Sequence, residues 1–203
     1  MLDDLYIGLG ANLAHPRFGP PKTTLEHVLT LFPGGGLRVL ARSPWYESAP
    51  VPASDQPWYV NGVVRVATAL SPQEVLSELH RIEAELGRQR VERNEARAVD
   101  LDIISFGRMV LNGPTPPLVP HPRMAERAFV LLPLADLAPD WRHPATGERI
   151  SGLIARLPRG QPRIAPAQPS HHPPIPVHEE SRTNLPLADR GKPRQRLIGR
   201  PQL

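Results

Sequence analysis

Hydrophobic positions along the first three quarters of the chain follow two rhythms. A period of two marks strands and a period near 3.6 marks helices. Leu5 to Leu9 ("LYIGL") reads as a buried strand that ends in Gly10-Ala11-Asn12. Leu37 to Tyr46 and Tyr59 to Ala69 read as two further strands, separated by the proline-rich loop "ESAPVPASDQP". In "RAVDLDIISFG", Val99, Leu101 and Ile103 alternate with Asp100 and Asp102, so one face is apolar and the other carries two carboxylates.

The helical rhythm appears first over Thr23 to Phe32, with Leu25, Val28, Leu29 and Phe32 on one face and the glycines of "FPGGG" closing it. The second helix has the clearest ends. Ser71 is placed to cap, Pro72 suits the first helical position and Glu74 completes a capping box. Val75, Leu76, Leu79, Ile82 and Leu86 form its apolar stripe, and Gly87 ends it. A third helical stretch starts near Met124 and is expected to break at Pro133, and a short one starts near Ser151. The order β-α-β-β-α-β followed by helices predicts an α+β, ferredoxin-like sandwich, one sheet with two helices on one face plus additional C-terminal helices. In that arrangement the aspartate strand is expected inside the sheet.

Composition divides the chain. Residues 1–158 are predicted to form the folded domain and residues 159–203 a Pro/Arg-rich disordered tail. From Pro158 onward there are ten of the 27 prolines and no aromatic residue, too little apolar surface to offset the entropy of ordering. Residues 1–159 carry 17 basic and 17 acidic side chains, so the net charge of +4 resides in the tail. That distribution argues against a nucleic-acid partner for the domain. The absence of cysteine excludes disulfides and thiolate chemistry. No apolar run approaches the roughly 18 residues of a membrane span, and the start is acidic before it is apolar, unlike a secretory signal. The expectation is a soluble, cytoplasmic monomer with no membrane or nucleic-acid partner.

The carboxylate pair then acquires a meaning. A lone D-x-D most often lines a solvated face. Here Arg88, Arg90, Arg93 and Arg97 precede it, and His121, Arg123 and Arg127 follow. Two carboxylates among guanidiniums suit Mg²⁺ and a polyphosphate, since Mg²⁺ takes one or two carboxylates plus phosphate oxygens. Two ions can then clamp attacking and leaving oxygens. There is no G-x-x-x-x-G-K-[ST] cradle, and "GLGANL" has Leu13 where a dinucleotide fingerprint needs its third glycine. The residues leave open a phosphotransferase, a palm-type nucleotidyltransferase and a non-catalytic nucleic-acid-binding module.

"YIGLGANL", "SPWYESAPV", "DQPWYVNGVV", "RIEAELGR", "RAVDLDIISFG" and "LVPHPRMAERAFVLLPL" occur in an order and spacing that closely resemble 6-hydroxymethyl-7,8-dihydropterin pyrophosphokinase of folate biosynthesis. The resemblance covers about residues 4 to 158. It implies transfer of pyrophosphate from ATP to the hydroxymethyl group of a dihydropterin, with release of AMP. It implies two Mg²⁺ ions on Asp100 and Asp102, and Arg88 and Arg97 as catalytic residues beside the transferring phosphates. It implies ATP contacts from His80, Glu83, Arg88, Arg90, Arg97, Ile103, His121 and Arg127. The pterin pocket maps onto Ser48, Ala49, Val51, Tyr59, Asn61 and Phe129. An aromatic ring there can stack on the bicyclic ring, and the Asn61 amide supplies a donor and an acceptor for its edge. The Arg88–Arg97 loop is expected to act as a mobile lid.

Overall fold

The structure, a computed structural model, describes residues 4–50, 53–87, 98–159 and 164–166. All of these lie in the first of two units into which the chain divides, 1–168 and 169–203. The elements are β1 (Leu5–Ala11), α1 (Pro21–Leu31), β2 (Arg38–Arg42), β3 (Tyr46–Ser48), β4 (Tyr59–Ala67), α2 (Pro72–Glu85), β5 (Asp100–Phe106), α3 (Ala128–Leu137), α4 (Ile150–Ala155) and β6 (Ile164–Pro166). Short 3-10 turns occupy Phe32–Gly35 and Met124–Glu126.

The strands form one antiparallel sheet in the order β5-β1-β4-β3-β6, with β2 also paired to β4. The α+β, ferredoxin-like reading therefore holds for the first five strands. One expectation is corrected: β5, the aspartate strand, lies at the edge of the sheet, paired among the described residues with β1 alone. An edge strand exposes unpaired backbone groups. Here two partners occupy them: the Glu83 side chain accepts from the Leu101 N–H at 2.8 Å, and the His121 N–H donates to the Ile104 carbonyl at 2.9 Å.

Alternation assigns the two faces. Leu5, Ile7 and Leu9 of β1, with Val64 and Val66 of β4, pack against Leu25 and Val28 of α1 and Val75, Leu79 and Ile82 of α2. Tyr6, Val63 and Ile104 point the other way, into a second cluster with Met124, Val130, Leu131, Leu134, Ile150 and Leu153. Burying one such side chain contributes about 1.5–3 kcal/mol. A one-residue slip of β1 would remove Leu5, Ile7 and Leu9 from their core together, so its register is strongly fixed.

Local chemistry explains where the elements differ from the sequence reading. The predicted strand 37–46 is two strands, because Pro44 has no N–H for the ladder. Ser43 bridges the break: its hydroxyl accepts from the Val63 N–H at 3.1 Å and its own N–H donates to the Val63 carbonyl. The helix after Met124 breaks at Arg127, not at Pro133, which sits inside a continuous α3. The capping box on α2 is formed, with Glu74 accepting from the Ser71 N–H at 2.7 Å and donating its own N–H to the Ser71 hydroxyl. Ile164–Pro166, read as tail, pairs with β3 as strand β6. The remainder of the tail from 167 lies outside the described residues. Among the described residues no helix is long and apolar enough to cross a membrane.

Candidate active site

The second face of the sheet is covered over only half its length. Tyr6, Val63 and Ile104 are buried beneath the α3 and α4 side chains, whereas Gly8, Gly10, Asp100 and Asp102 are only partly covered. Register brings the latter four together. Gly8 pairs with Asp102 and Gly10 with Asp100, while on its other side Gly10 pairs with Asn61. Strand alternation therefore places Gly8, Gly10, Asn61, Asp100 and Asp102 on one open face.

β3 and β4 build one end of it. Asn61 is 6% exposed, and its Nδ2 donates to the Ser48 hydroxyl at 2.8 Å. Ser48 pairs with Tyr59, which places Tyr59 beside them on β4, and Ala49 follows half-buried. Asn12, at the end of β1, is buried and donates to the Gln56 Oε1 at 3.1 Å and to the Pro57 carbonyl at 3.3 Å. The Tyr59 hydroxyl also donates to the Gln56 Oε1, at 3.3 Å. Gln56 thereby ties the loop before β4 to the end of β1. The sequence reading missed both Asn12 and Gln56, although each lies in a quoted segment, "YIGLGANL" and "DQPWYVNGVV". Phe129 sits half-buried in the first turn of α3, which packs across β4 and β3, and the Arg127 guanidinium lies 5.4 Å from its ring centroid.

The aspartates form the other end. The Asp102 side chain is 43% exposed, and its Oδ2 lies 3.9 Å from the His121 Nε2. The Arg123 N–H donates to the His121 Nδ1 at 3.1 Å, which leaves the ring proton on Nε2, facing Asp102. Burial pushes the His121 imidazole below its usual range; Arg127 and Arg123 push the same way, and Asp102 opposes them. At 3.9 Å the Nε2 faces the carboxylate as an electrostatic neighbour, beyond hydrogen-bond distance. Glu83 is 2% exposed and its carboxylate reaches the Leu101 N–H, between the two aspartates.

Of the residues expected to contact the nucleotide, His121 lies beside Asp102, Arg127 lies over the Phe129 ring and close enough to His121 to act on it electrostatically, and Glu83 touches the aspartate strand from the edge. His80 lies one turn before Glu83 on α2. The Ile103 side chain is buried in the α1 and α2 core, on the face opposite the aspartates. Val51 and the whole of the expected lid, with Arg88, Arg90, Arg93 and Arg97, lie outside the described residues. Among the described residues no group of three or more His, Cys, Asp and Glu could enclose a metal ion. The donors present are two partly exposed carboxylates, the hard, open set that Mg²⁺ uses when phosphates and water complete its shell.

Comparison with known proteins accords with this arrangement. A family model described as 7,8-dihydro-6-hydroxymethylpterin-pyrophosphokinase matches residues 6–139. A 2-amino-4-hydroxy-6-hydroxymethyldihydropteridine pyrophosphokinase of Pseudomonas aeruginosa is 43% identical over 159 residues, covering 78% of this chain and 94% of that protein. The folic acid synthesis protein fol1 of Pneumocystis carinii is 40% identical over 153 residues, covering 75% of this chain and 20% of that longer protein. A crystal structure of Plasmodium falciparum HPPK-DHPS with pteroate superimposes with a TM-score of 0.56 at 13% identity, over 77% of this chain and 41% of that one, a likeness of fold. The chain belongs to the 7,8-dihydro-6-hydroxymethylpterin-pyrophosphokinase family.

Proposed function

We propose that this chain transfers pyrophosphate from ATP to the hydroxymethyl group of 6-hydroxymethyl-7,8-dihydropterin, giving the pterin diphosphate and AMP in tetrahydrofolate biosynthesis. The observation that carries this reading is the open face on which Gly10 alone separates the Asn61 amide from the Asp100 carboxylate. A flat heterocycle with an amide-like edge and a metal–phosphate group have adjacent places on one surface.

Each described residue has a task in this reading. Asn61 and Ser48 hold the polar edge of the pterin, with Ala49 and Val51 along the same loop and Tyr59 and Phe129 supplying ring faces. Asp100 and Asp102 would hold two Mg²⁺ ions. When bound, the ions neutralise phosphate charge and lower the pKa of the accepting hydroxyl. His121, fixed by its own Nδ1, faces the Asp102 carboxylate at 3.9 Å. Glu83 holds the strand between the aspartates. Arg127 and Arg90 contact the nucleotide, with His80 and the Ile103 backbone nearby. Arg88 and Arg97 stabilise charge on the transferring phosphates, as fixed guanidiniums do best in a closed site. The protein acts as a cytoplasmic monomer, with residues 1–158 as the catalytic domain.

The test is purified full-length chain with ATP, Mg²⁺ and the dihydropterin, with products resolved by chromatography. AMP and the pterin diphosphate in equal amounts are expected. Free pyrophosphate with a nucleotidylated product would overturn the reading in favour of nucleotidyl transfer.

A further inference from the structure

The "GLG" of β1 was set aside above as a broken dinucleotide fingerprint, yet its second glycine occupies the centre of the site. Neither of the usual reasons for a glycine applies at Gly10. Its φ lies outside the left-handed region, so the backbone conformation there is open to any residue. A Cβ added to it would stand 3.4 Å from the Asn61 Oδ1 and 3.9 Å from the Asp100 Cβ, ordinary contact distances. Alanine therefore fits the protein without ligands. What glycine provides here is space: one methyl group's room between the amide oxygen and the carboxylate.

Asn61 shows which way that space is used. It is more than nine-tenths buried, and while its Nδ2 is engaged by Ser48, its Oδ1 is the nearest heavy atom to the point above the Gly10 Cα. A pterin whose polar edge meets Asn61 must send its 6-substituent toward the aspartates, because the phosphate to be attacked lies there. The line from Asn61 to Asp100 crosses Gly10, which pairs with both.

We infer that Gly10 is a specificity-determining residue, whose bare Cα is the floor on which the 6-hydroxymethyl arm of the substrate lies. The inference rests on the pyrophosphokinase reading and adds to it a residue that selects the arm and leaves the ring alone. Gly10→Ala keeps every group that recognises the pterin ring and fills only the channel for the arm. An added methyl in a fitted pocket changes discrimination by about 10–200-fold.

The experiment compares two ligands on full-length wild type and Gly10→Ala, by calorimetry with Mg²⁺ and a non-hydrolysable ATP analogue present throughout. One ligand is 6-hydroxymethyl-7,8-dihydropterin; the other is 7,8-dihydropterin, which has no 6-substituent. The variant should bind the first about 10–200-fold more weakly and the second within about twofold of wild type. Retained binding of the unsubstituted pterin also reports a folded pocket. Equal weakening for both ligands would place the methyl against the ring, or show a collapsed pocket, and overturn the inference. Unchanged binding of the hydroxymethyl compound would overturn it too. If wild type binds neither pterin, the pyrophosphokinase reading itself fails, and the inference with it.

Discussion

Glu83 offers a direct test of how the aspartate pair is held. Its carboxylate is 2% exposed and accepts from the Leu101 N–H at 2.8 Å; Leu101 is itself 2% exposed and separates Asp100 from Asp102. Glu83→Ala removes the acceptor and leaves that N–H at a sheet edge with no strand beside it. A hydrogen bond to a charged group contributes about 1.5–3 kcal/mol, and a neutral one about 0.5–1.5 kcal/mol. For a domain of roughly 150 residues each kcal/mol moves the melting temperature by about 2–4 °C. Glu83→Ala should therefore lower Tm by roughly 3–12 °C, and Glu83→Gln, which keeps an oxygen acceptor, by about half as much. A second effect separates positioning from bulk stability. Loss of a group that orients metal ligands typically costs about 10–100-fold in metal affinity or activity. The Mg²⁺ concentration for half-maximal rate should rise in that range for Glu83→Ala, below the melting transition, with partial rescue by glutamine. The assay is thermal melting together with steady-state rates over a Mg²⁺ titration at fixed ATP. A Glu83→Ala variant that melts with wild type and responds to Mg²⁺ identically would refute the reasoning at both steps. One that is destabilised but has an unchanged Mg²⁺ response would make Glu83 an edge cap and nothing more.

Asp100→Asn and Asp102→Asn should each collapse AMP formation at saturating Mg²⁺ while melting at or above the wild-type temperature, since each removes one of two like charges; near-normal turnover in either would remove it from the metal set. Ser71→Ala should cost about 0.5–2 kcal/mol in urea unfolding, the usual range for a lost N-cap. The Ser71 N–H and O–H hold the Glu74 carboxyl below its ordinary value of 4.5, so Glu74 contributes stability above that pH and loses it as pH falls through the lowered value. Glu74→Gln should flatten the acid side of the stability curve, and an unchanged acid limb would refute the box as its source. A chain ending at Gln168 should retain full activity, whereas one ending at Arg159 loses β6 and exposes the outer edge of β3; light scattering should show the shorter form associating at concentrations where the longer stays dispersed.

The sheet and the two faces of β5 were legible in the sequence because both depend on alternation, which is local. Leu101 and Ile103 declare a buried face and Asp100 and Asp102 an open one with no knowledge of neighbours. The position of the strand is another matter. Alternation states which side a residue faces and is silent about which strand lies next to it, and so β5 was expected inside the sheet although it lies at the edge. Contacts between residues distant in the chain were correspondingly invisible. Glu83 reaches Leu101 across 18 positions and Asn12 reaches Gln56 across 44. Ile103 shows the same limit from the other direction. A resemblance places the residue near the nucleotide, but its parity on β5 matches that of Leu101, so its side chain belongs to the core.

The edge position also explains how the site can be open and well fixed at once. A central strand would be held by two neighbours. At the edge, β5 has β1 on one side and single, specific partners on the other: a buried carboxylate at Leu101 and the backbone of His121 at Ile104. The segment that closes the strand at Ile104 is the one that carries the imidazole to Asp102. Pairing the edge and placing His121 beside Asp102 are therefore one structural event. A change that loosens residues 119–123 from β5 must disturb the carboxylate even if it touches no substrate. α3 and α4, by covering only the half of that face occupied by Tyr6, Val63 and Ile104, leave free the half where β1 has glycine. The boundary between the two halves falls between Ile104 and Asp102 on β5, where the side chains change from core to chemistry within two residues.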